Sequence, residues 1–379
     1  MTKRILLAAG GTGGHMFPAQ ALAEYLKNEA NKNEKWEIAL MTDARGHKHA
    51  GNIPAGQIIE VQAASISPKH PIRAIGGALK LMRGVQSAKA FIKDWKPNIV
   101  VGFGGYPAFP AMKAAQSLGV PTIIHEQNAV LGRVNRVFAA KANMVVSGFE
   151  VLEKLPTGAN WRPLGNPLRA AVVKASQRKY RPPKKTINLL IVGGSLGARL
   201  LSETVPQAVA LLPEELRGRL SVVQQTRLES LDFARDVYKE AGVKAVCEPF
   251  FADIETHLAK AHYVVARAGA SSVSEIAVMG LPSLLAPLAI AMDDHQSINA
   301  LSLKKIKAAH ILPESQFTPQ IVKSILLEKL NDSSWLKTAS KAALTAAKPD
   351  ATADLAQCVI ETTKDVIETT KGVIATATT

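Results

Sequence analysis

The chain has 379 residues, 47% of them hydrophobic and only 5% aromatic, which excludes a disordered protein and, at this length, favours two ordinary α/β domains over one. Two cysteines exclude a disulfide framework or a thiolate metal site, and no run approaches the roughly 18 apolar residues of a membrane-spanning helix, so a cytosolic or peripheral protein is expected. The net charge of +15 comes without a Lys/Arg tract interleaved with aromatics, so no nucleic-acid partner is expected. Residues 1–165 carry 20 Lys and Arg against 10 Asp and Glu, an excess that suits an anionic membrane surface or a phosphorylated substrate.

The apolar run 5–9 predicts a strand, and it leads directly into Gly10-Gly11-Thr12-Gly13-Gly14-His15 and then a helix beginning near Phe17 and Pro18. The basic start therefore lacks the body of a signal peptide. Glycines at a helix N-terminus let backbone N–H groups approach a phosphate, although Met16 stands where a dinucleotide fingerprint would place its third glycine. His15 sits at the mouth of this loop, where an imidazole serves either as a general base or as a clamp on phosphate. A second strand is expected over Trp36–Thr42, then a polar loop at 44–49 and a third strand over 57–61. Residues 72–95 predict a helix packed on the sheet through Ile75, Leu79, Met82, Val85, Phe91 and Ile92, with solvated Arg73, Lys80, Arg83, Lys89 and Lys93; the sharper alternative is a membrane-surface face. Strands at 98–101 and 122–124 end in Gly102-Phe103-Gly104-Gly105-Tyr106 and His125-Glu126-Gln127-Asn128. Polar groups thus collect at the carboxyl ends of strands, where open α/β sheets bind ligands.

Gly165-Asn166-Pro167 and the charged, Pro-rich stretch 178–185 mark a domain boundary, and a second α/β pattern follows. A strand at 187–192 feeds Gly193-Gly194-Ser195-Leu196-Gly197-Ala198 and a helix at 200–212, repeating the opening device of the first half. Further strands are expected at 221–224, 245–247 and 263–266. The last leads into Arg267 and the small residues before Glu275, whose carboxylate suits ribose hydroxyls or, on position alone, a helix cap. Asp293-Asp294-His295-Gln296 suits sugar hydroxyls better than a metal, because nothing else in the sequence completes a metal site. The tail carries a seven-residue repeat over 359–376, read as a marginal amphipathic extension of the last helix. The expected division is 1–165, 166–345 and a helical extension, 346–379.

In their order and spacing these seven motifs resemble the MurG family of glycosyltransferases, over roughly residues 3 to 345; the tail repeat lies outside the family pattern. The resemblance implies an α/β fold of two Rossmann-like domains facing across a cleft (GT-B), with a lipid acceptor and an anionic membrane surface on the N-terminal domain and a UDP-sugar on the C-terminal one. It implies inverting transfer of N-acetylglucosamine from UDP-N-acetylglucosamine to the C4 hydroxyl of an undecaprenyl-linked muramyl-pentapeptide, lipid I, at the cytoplasmic face of a bacterial inner membrane. No cofactor and no metal are implied. By resemblance Thr12, Gly13 and Gly14 approach the donor, Asn128 contacts its sugar, and Arg169 and Ser195 hold the nucleotide end. Phe251 lies against uracil, where relatives also carry an aliphatic residue, and Ala270, Ser271, Ser272, Val273, Ser274 and Glu275 line phosphate and ribose. Gln296 reads sugar hydroxyls, with His295 where some relatives carry a second glutamine, and Gly104, Gly105 and Tyr106 face the acceptor. His15 is the first candidate base and Glu126 the second, with His15 as a clamp the competing reading. Arg267 or Arg169 assists the helix N-termini in meeting leaving-group charge. The alternatives are another sugar-nucleotide enzyme of this fold, a glycolipid glycosyltransferase or a UDP-N-acetylglucosamine 2-epimerase; an NAD-dependent oxidoreductase is disfavoured by both glycine loops.

Overall fold

The computed structural model describes residues 2–11, 13–28, 35–47, 50–63, 71–194 and 197–377. They form two units, Met1–Arg169 with Asp350–Thr379, and Ala170–Pro349. Thr12 and Ser195, both expected at the site, lie outside the described residues.

The sheet of the first unit contains β1 (Lys3–Ala8), β2 (Trp36–Thr42), β3 (Gln57–Glu60), β4 (Ile99–Gly102), β5 (Thr122–Glu126), β6 (Met144–Ser147) and β7 (Trp161–Arg162). All pairs are parallel, in the order β3-β2-β1-β4-β5-β6-β7, with Ile5 opposite both Ile38 and Ile99. Helices α1 (Gly13–Asn28), α2 (Ala44–His47), α3 (Pro71–Trp95), α4 (Ala108–Ser117) and α5 (Arg133–Ala139) connect them. The short α2 replaces the polar loop expected at 44–49. β4 and β6 are buried at every residue, as parallel strands covered on both faces must be. The strand order reverses between β1 and β4, so the turns leaving these strands flank the crevice at which such sheets take ligands.

Helix α3 forms where the sequence places it, but with a different inward face. Gly84, Ala88 and Ile92 are buried, whereas Leu79 and Met82 are 50% and 57% exposed. The reason is close approach: a Cβ on Gly84 would stand 2.2 Å from the Gln62 carbonyl oxygen, so Gly84 and Ala88, with Ile92, face the body of the unit in place of Leu79 and Met82.

The second unit contains α6 (Ala170–Ser176), β8 (Ile187–Val192), α7 (Arg199–Ala210), α8 (Glu214–Arg217), β9 (Leu220–Gln225), α9 (Leu231–Glu240), β10 (Lys244–Glu248), α10 (Ile254–Lys260) and β11 (Tyr263–Ala266). It continues through α11 (Ala270–Val278), β12 (Ser283–Leu285), α12 (His295–Lys305), β13 (Ala309–Ile311), α13 (Pro319–Asn331) and α14 (Ser333–Thr345). Its parallel sheet runs β10-β9-β8-β11-β12-β13, again reversing beside the opening strand. The glycine loop after β8 and the loop before α11 are therefore neighbours at one sheet edge.

The tail is not a marginal extension. Helix α15 (Ala351–Ala377) returns to the first unit, where Leu355, Ala356, Cys358, Val359 and Ile360 join the core of Ile5, Leu22 and Ile38. Burying Leu355, Val359 and Ile360 contributes on the order of 5 kcal/mol, well above what helix propensity alone supplies. The first copy of the repeat is thus partly core; no side chain beyond Lys364 is described.

Candidate functional site

In the first unit the glycine loop after β1 sets His15 as the third residue of α1. Its Nδ1 lies 3.0 Å from Gln127 Oε1. Gln127 Nε2 lies 3.0 Å from the Phe103 carbonyl, 3.1 Å from His125 Nδ1 and 3.2 Å from the His125 carbonyl. His125 Nε2 in turn lies 3.1 Å from the Gly165 carbonyl. His125 and Gln127 are 0% and 3% exposed. Burial, opposed by the hydrogen bond to Gly165 and aided to a lesser degree by nearby His15, lowers the His125 pKa to about 4, so the ring is neutral near pH 7. Gly104 and Gly105, with φ of +84° and +75°, form a left-handed turn against the imidazole; a Cβ on them would approach His15 Cε1 to 3.5 Å and Cδ2 to 3.4 Å. Tyr106 follows, half-buried, its carbonyl accepting from Phe109 N–H at the start of α4.

Glu126 is 3% exposed, and the structure gives it a role other than the alternative base. Oε1 accepts from Asn128 N–H and Nδ2, both at 3.1 Å, and Oε2 from Gly132 N–H and Asn135 Nδ2, both at 2.8 Å. An ionised carboxylate offers about four acceptor sites, and four donors occupy them, leaving none for a sugar hydroxyl. Glu126 instead fixes Asn128 and the entry to α5. Asn166 donates to the Gln127 carbonyl at 3.0 Å, so Gly165-Asn166-Pro167 supports this turn, and the units divide after Arg169. The Arg169 guanidinium stands 5.6 Å over the Phe17 ring, on α1.

In the second unit the loop after β8 is strapped by Gln225, which accepts from Gly193 N–H at 3.1 Å and donates to the Gly194 and Pro249 carbonyls at 2.9 and 3.3 Å. Phe251 lies just beyond Pro249, half-buried with its ring edge-on to His257 at 4.8 Å between centroids. Helix α11 starts from extended Gly269 without a side-chain cap, so its first-turn N–H groups have no acceptor within the helix. Ser271, Ser272, Ser274 and Glu275 are half-buried and Ala270 is buried. Val273 is 1% exposed and its N–H donates to the Gly269 carbonyl at 3.0 Å, so it belongs to the core and not to a ligand surface.

Arg267 is likewise committed. It donates to the Ala286 and Pro287 carbonyls at 3.1 and 3.3 Å and pairs with Glu314, whose other oxygen accepts from Ala289 N–H at 2.9 Å. Burial would raise the Glu314 carboxyl, yet the Ala289 N–H and the guanidinium hold it below the usual range. The expected role of Arg267 at a leaving group gives way to this buried support. Gln296 accepts from Leu288 N–H at 3.0 Å, so one loop, 286–289, ties Gln296 to the approach to α11; its Nε2 can serve a ligand as a donor to hydroxyl oxygen. Asp293 and Asp294, both with positive φ, set up the start of α12 beside His295. Among the described residues no three His, Cys, Asp or Glu side chains gather as metal ligands.

Sequence reasoning on single residues missed Gln127, His125, Asn135, Asn166 and Gln225 as parts of these sites. The available signal was three consecutive polar residues, His125-Glu126-Gln127, at the end of an apolar strand: polar side chains that close to a buried run are hydrogen-bonded to something.

Residues 5–147 match the N-terminal domain and residues 188–355 the C-terminal domain of glycosyltransferase family 28. Among curated relatives, the UDP-N-acetylglucosamine–N-acetylmuramyl-(pentapeptide) pyrophosphoryl-undecaprenol N-acetylglucosamine transferase of Maricaulis maris is 50% identical over 345 residues, 90% of this chain and 92% of the relative. The protein of the same name from Caulobacter vibrioides is 44% identical over 348 residues, 91% and 95% of the two chains. The crystal structure of Acinetobacter baumannii MurG superposes with a TM-score of 0.76 at 28% identity, covering 95% and 99%. A UDP-GlcNAc 2-epimerase from Neisseria meningitidis, bound to UDP-GlcNAc, reaches 0.59 at 13% identity over 95% and 100%, a likeness of fold alone. The expected α/β fold class of two Rossmann-like domains, GT-B, is the one these structures share. The chain belongs to glycosyltransferase family 28 and, within it, to the MurG family.

Proposed function

We infer that the chain transfers N-acetylglucosamine from UDP-N-acetylglucosamine to the C4 hydroxyl of undecaprenyl-pyrophosphoryl-N-acetylmuramyl-pentapeptide, converting lipid I to lipid II in peptidoglycan synthesis. The observation that carries this reading is the pairing of His15 with buried Gln127 at the sheet's switch point, in a chain half identical to a relative named for that transfer. His15 removes the C4 hydroxyl proton as that oxygen attacks the anomeric carbon; the bond to UDP breaks on the opposite face, inverting the centre. Gly104, Gly105 and Tyr106 border the acceptor sugar beside the imidazole. Gly13, Gly14 and Asn128 meet the donor, Asn128 as a sugar contact held by Glu126. Arg169 serves the nucleotide end from its place over Phe17.

The second unit takes the nucleotide. Phe251 borders uracil, Gln296 donates to sugar hydroxyls, and the first turn of α11 with Ser271, Ser272 and Glu275 receives phosphate and ribose. Developing negative charge on departing UDP is met by these N–H groups and by the loop after β8.

The first unit docks on the anionic cytoplasmic face of the inner membrane through α3. Leu79 and Met82 are exposed beside exposed Lys80 and Arg83, an arrangement that inserts apolar groups while cations meet lipid phosphates. Among the described residues no helix is long and apolar enough to cross a membrane.

The deciding experiment incubates the purified chain with UDP-N-acetylglucosamine and a lipid I analogue, following UDP and disaccharide together. Acceptor-dependent UDP release with N-acetylglucosamine on the acceptor is expected. Epimerised or hydrolysed sugar without disaccharide overturns the acceptor assignment and leaves the fold intact.

A further inference from the structure

The hydrogen bonds behind His15 have a determined direction, set by groups that can act in only one way. The Gly165 carbonyl only accepts, so His125 Nε2 carries the proton and donates to it at 3.1 Å. His125 Nδ1 is then a bare lone pair, which accepts from Gln127 Nε2 at 3.1 Å. The Phe103 carbonyl, 3.0 Å from the same Nε2, also only accepts, so the Gln127 amide cannot be flipped without setting two oxygens face to face. Gln127 Oε1 is thereby turned to His15 Nδ1 as an acceptor, 3.0 Å away. A neutral imidazole that donates from Nδ1 keeps its lone pair on Nε2.

We propose that Gln127, oriented by His125 and the Gly165 carbonyl, is a positioning residue that holds His15 in the Nδ1–H tautomer and so presents Nε2 as the proton-accepting atom of the transfer. This rests on the reading of His15 as the base. Two further observations point the same way. The two imidazole carbons that flank Nε2, Cδ2 and Cε1, face positions 105 and 104, where Cβ groups would touch them at 3.4 and 3.5 Å, so glycines leave that edge of the ring less covered than side chains would. His125, neutral in its buried site, has no second proton to put on Nδ1 and therefore cannot reverse the chain near pH 7. Asn166 completes the arrangement by donating to the Gln127 main-chain carbonyl at 3.0 Å. An amide suits this role because it relays direction without taking up a proton itself: a carboxylate would also accept from Nδ1–H but would set an oxygen against the Phe103 carbonyl.

The test reads the tautomer directly. In the full chain labelled with 15N-histidine, two-bond 1H–15N correlations at neutral pH distinguish a protonated from a bare ring nitrogen, and the His15 signals are assigned by their loss in His15→Ala. Wild type is expected to show His15 protonated on Nδ1 and bare on Nε2. Gln127→Met, close in size and with only a weak thioether acceptor, is expected to shift His15 to the Nε2–H form or to a mixture. Its kcat is expected to fall about 100-fold, the scale of a lost general base, with KM for UDP-N-acetylglucosamine changed less than about threefold. A wild-type His15 protonated on Nε2 overturns the proposal without need of any variant, so it stays testable even where Gln127→Met fails to fold. So does a Gln127→Met protein that keeps both the wild-type tautomer and its turnover. Near-normal kcat in His15→Ala overturns the base reading instead, and the tautomer measurement separates the two failures.

Discussion

The buried, neutral His125 makes the first unit sensitive to acid in a calculable way. In an unfolded chain its imidazole takes a proton at about pH 6.5, whereas in the folded protein burial delays this to about pH 4. Well above pH 6.5 both states are neutral and the residue adds no pH dependence. Between the two values the unfolded state binds the extra proton, so stability declines as pH falls. Near pH 5 the difference is close to one proton, or about 1.2 kcal/mol per pH unit, and between pH 7.5 and 4.5 it accumulates to roughly 2.5 kcal/mol. The perturbation is His125→Gln, which removes the titration. That variant also loses ring hydrogen bonds, an offset of about 1–3 kcal/mol, but the offset is the same at every pH. The assay is urea unfolding of both proteins from pH 7.5 to 4.5 by tryptophan fluorescence. It reports mainly the first unit, which holds Trp36, Trp95 and Trp161, while Trp335 alone lies in the second. His262 and His310, lowered first by their own burial, contribute equally to both proteins and cancel. The variant should lose stability more slowly on acidification. Parallel curves for the two proteins would refute the reasoning, because they would mean that His125 titrates alike in both states.

Replacing His15 by Ala should lower kcat by about 100- to 10,000-fold in the lipid I assay; near-normal turnover at saturating substrates would make the residue a clamp or less. Glu126→Gln should lower the thermal midpoint through a loss of about 2–3 kcal/mol, since its amide turns hydrogens toward some of the four donors, while the residual activity keeps the wild-type pH profile because the carboxylate is not the base. Gly105→Ala forces a left-handed residue, costing about 1–2 kcal/mol, and sets its Cβ 3.1 Å from the Gly10 carbonyl in the loop that carries His15, so kcat falls as well. Gly119→Ala, with φ of +69° but nothing within 4 Å of the new Cβ, is the control that should lose stability alone. The double change Leu79→Glu and Met82→Glu should weaken binding to anionic vesicles by about tenfold or more while leaving turnover on a water-soluble acceptor unchanged; undiminished vesicle binding would remove α3 from the docking surface.

Much of the fold is legible in the sequence because parallel strands buried on both faces leave unbroken apolar runs. Tyr263–Ala266 carries that signature, and Trp36–Thr42 and Ile187–Val192 carry it broken only by Glu37 and Asn188; all three form strands at those bounds. β7 and β13, of two and three residues, are too short to leave a period at all. The inward face of α3 fails for a different reason. Hydrophobicity ranks Leu79 and Met82 as core, but the distance between backbones, set by the Gln62 carbonyl against Gly84, decides which side can approach. The destination of α15 is equally out of local reach, since its partners, Ile5 and Leu22, lie more than 330 positions away in sequence.

The site divides along the same line. That His15 stands beside a glycine loop is a local fact, and it survives folding unchanged. What kind of base it would make is not local, because it depends on which way a buried amide is turned, and that depends on three carbonyls from separate segments: those of Phe103, His125 and Gly165. Glu126 shows the converse. A carboxylate two residues from Asn128 has the chemistry of a base on paper, and only the positions of Gly132 and Asn135 reveal that every lone pair is occupied. Titratable residue type therefore selects candidates, while hydrogen-bond saturation decides among them: the group with an unused lone pair facing outward acts on the substrate, and the group whose lone pairs are filled holds the first one still. In the proposed mechanism His15 and Glu126 take these two roles, one on α1 and one at the end of β5, and exchanging their chemistry by mutation should never exchange their functions.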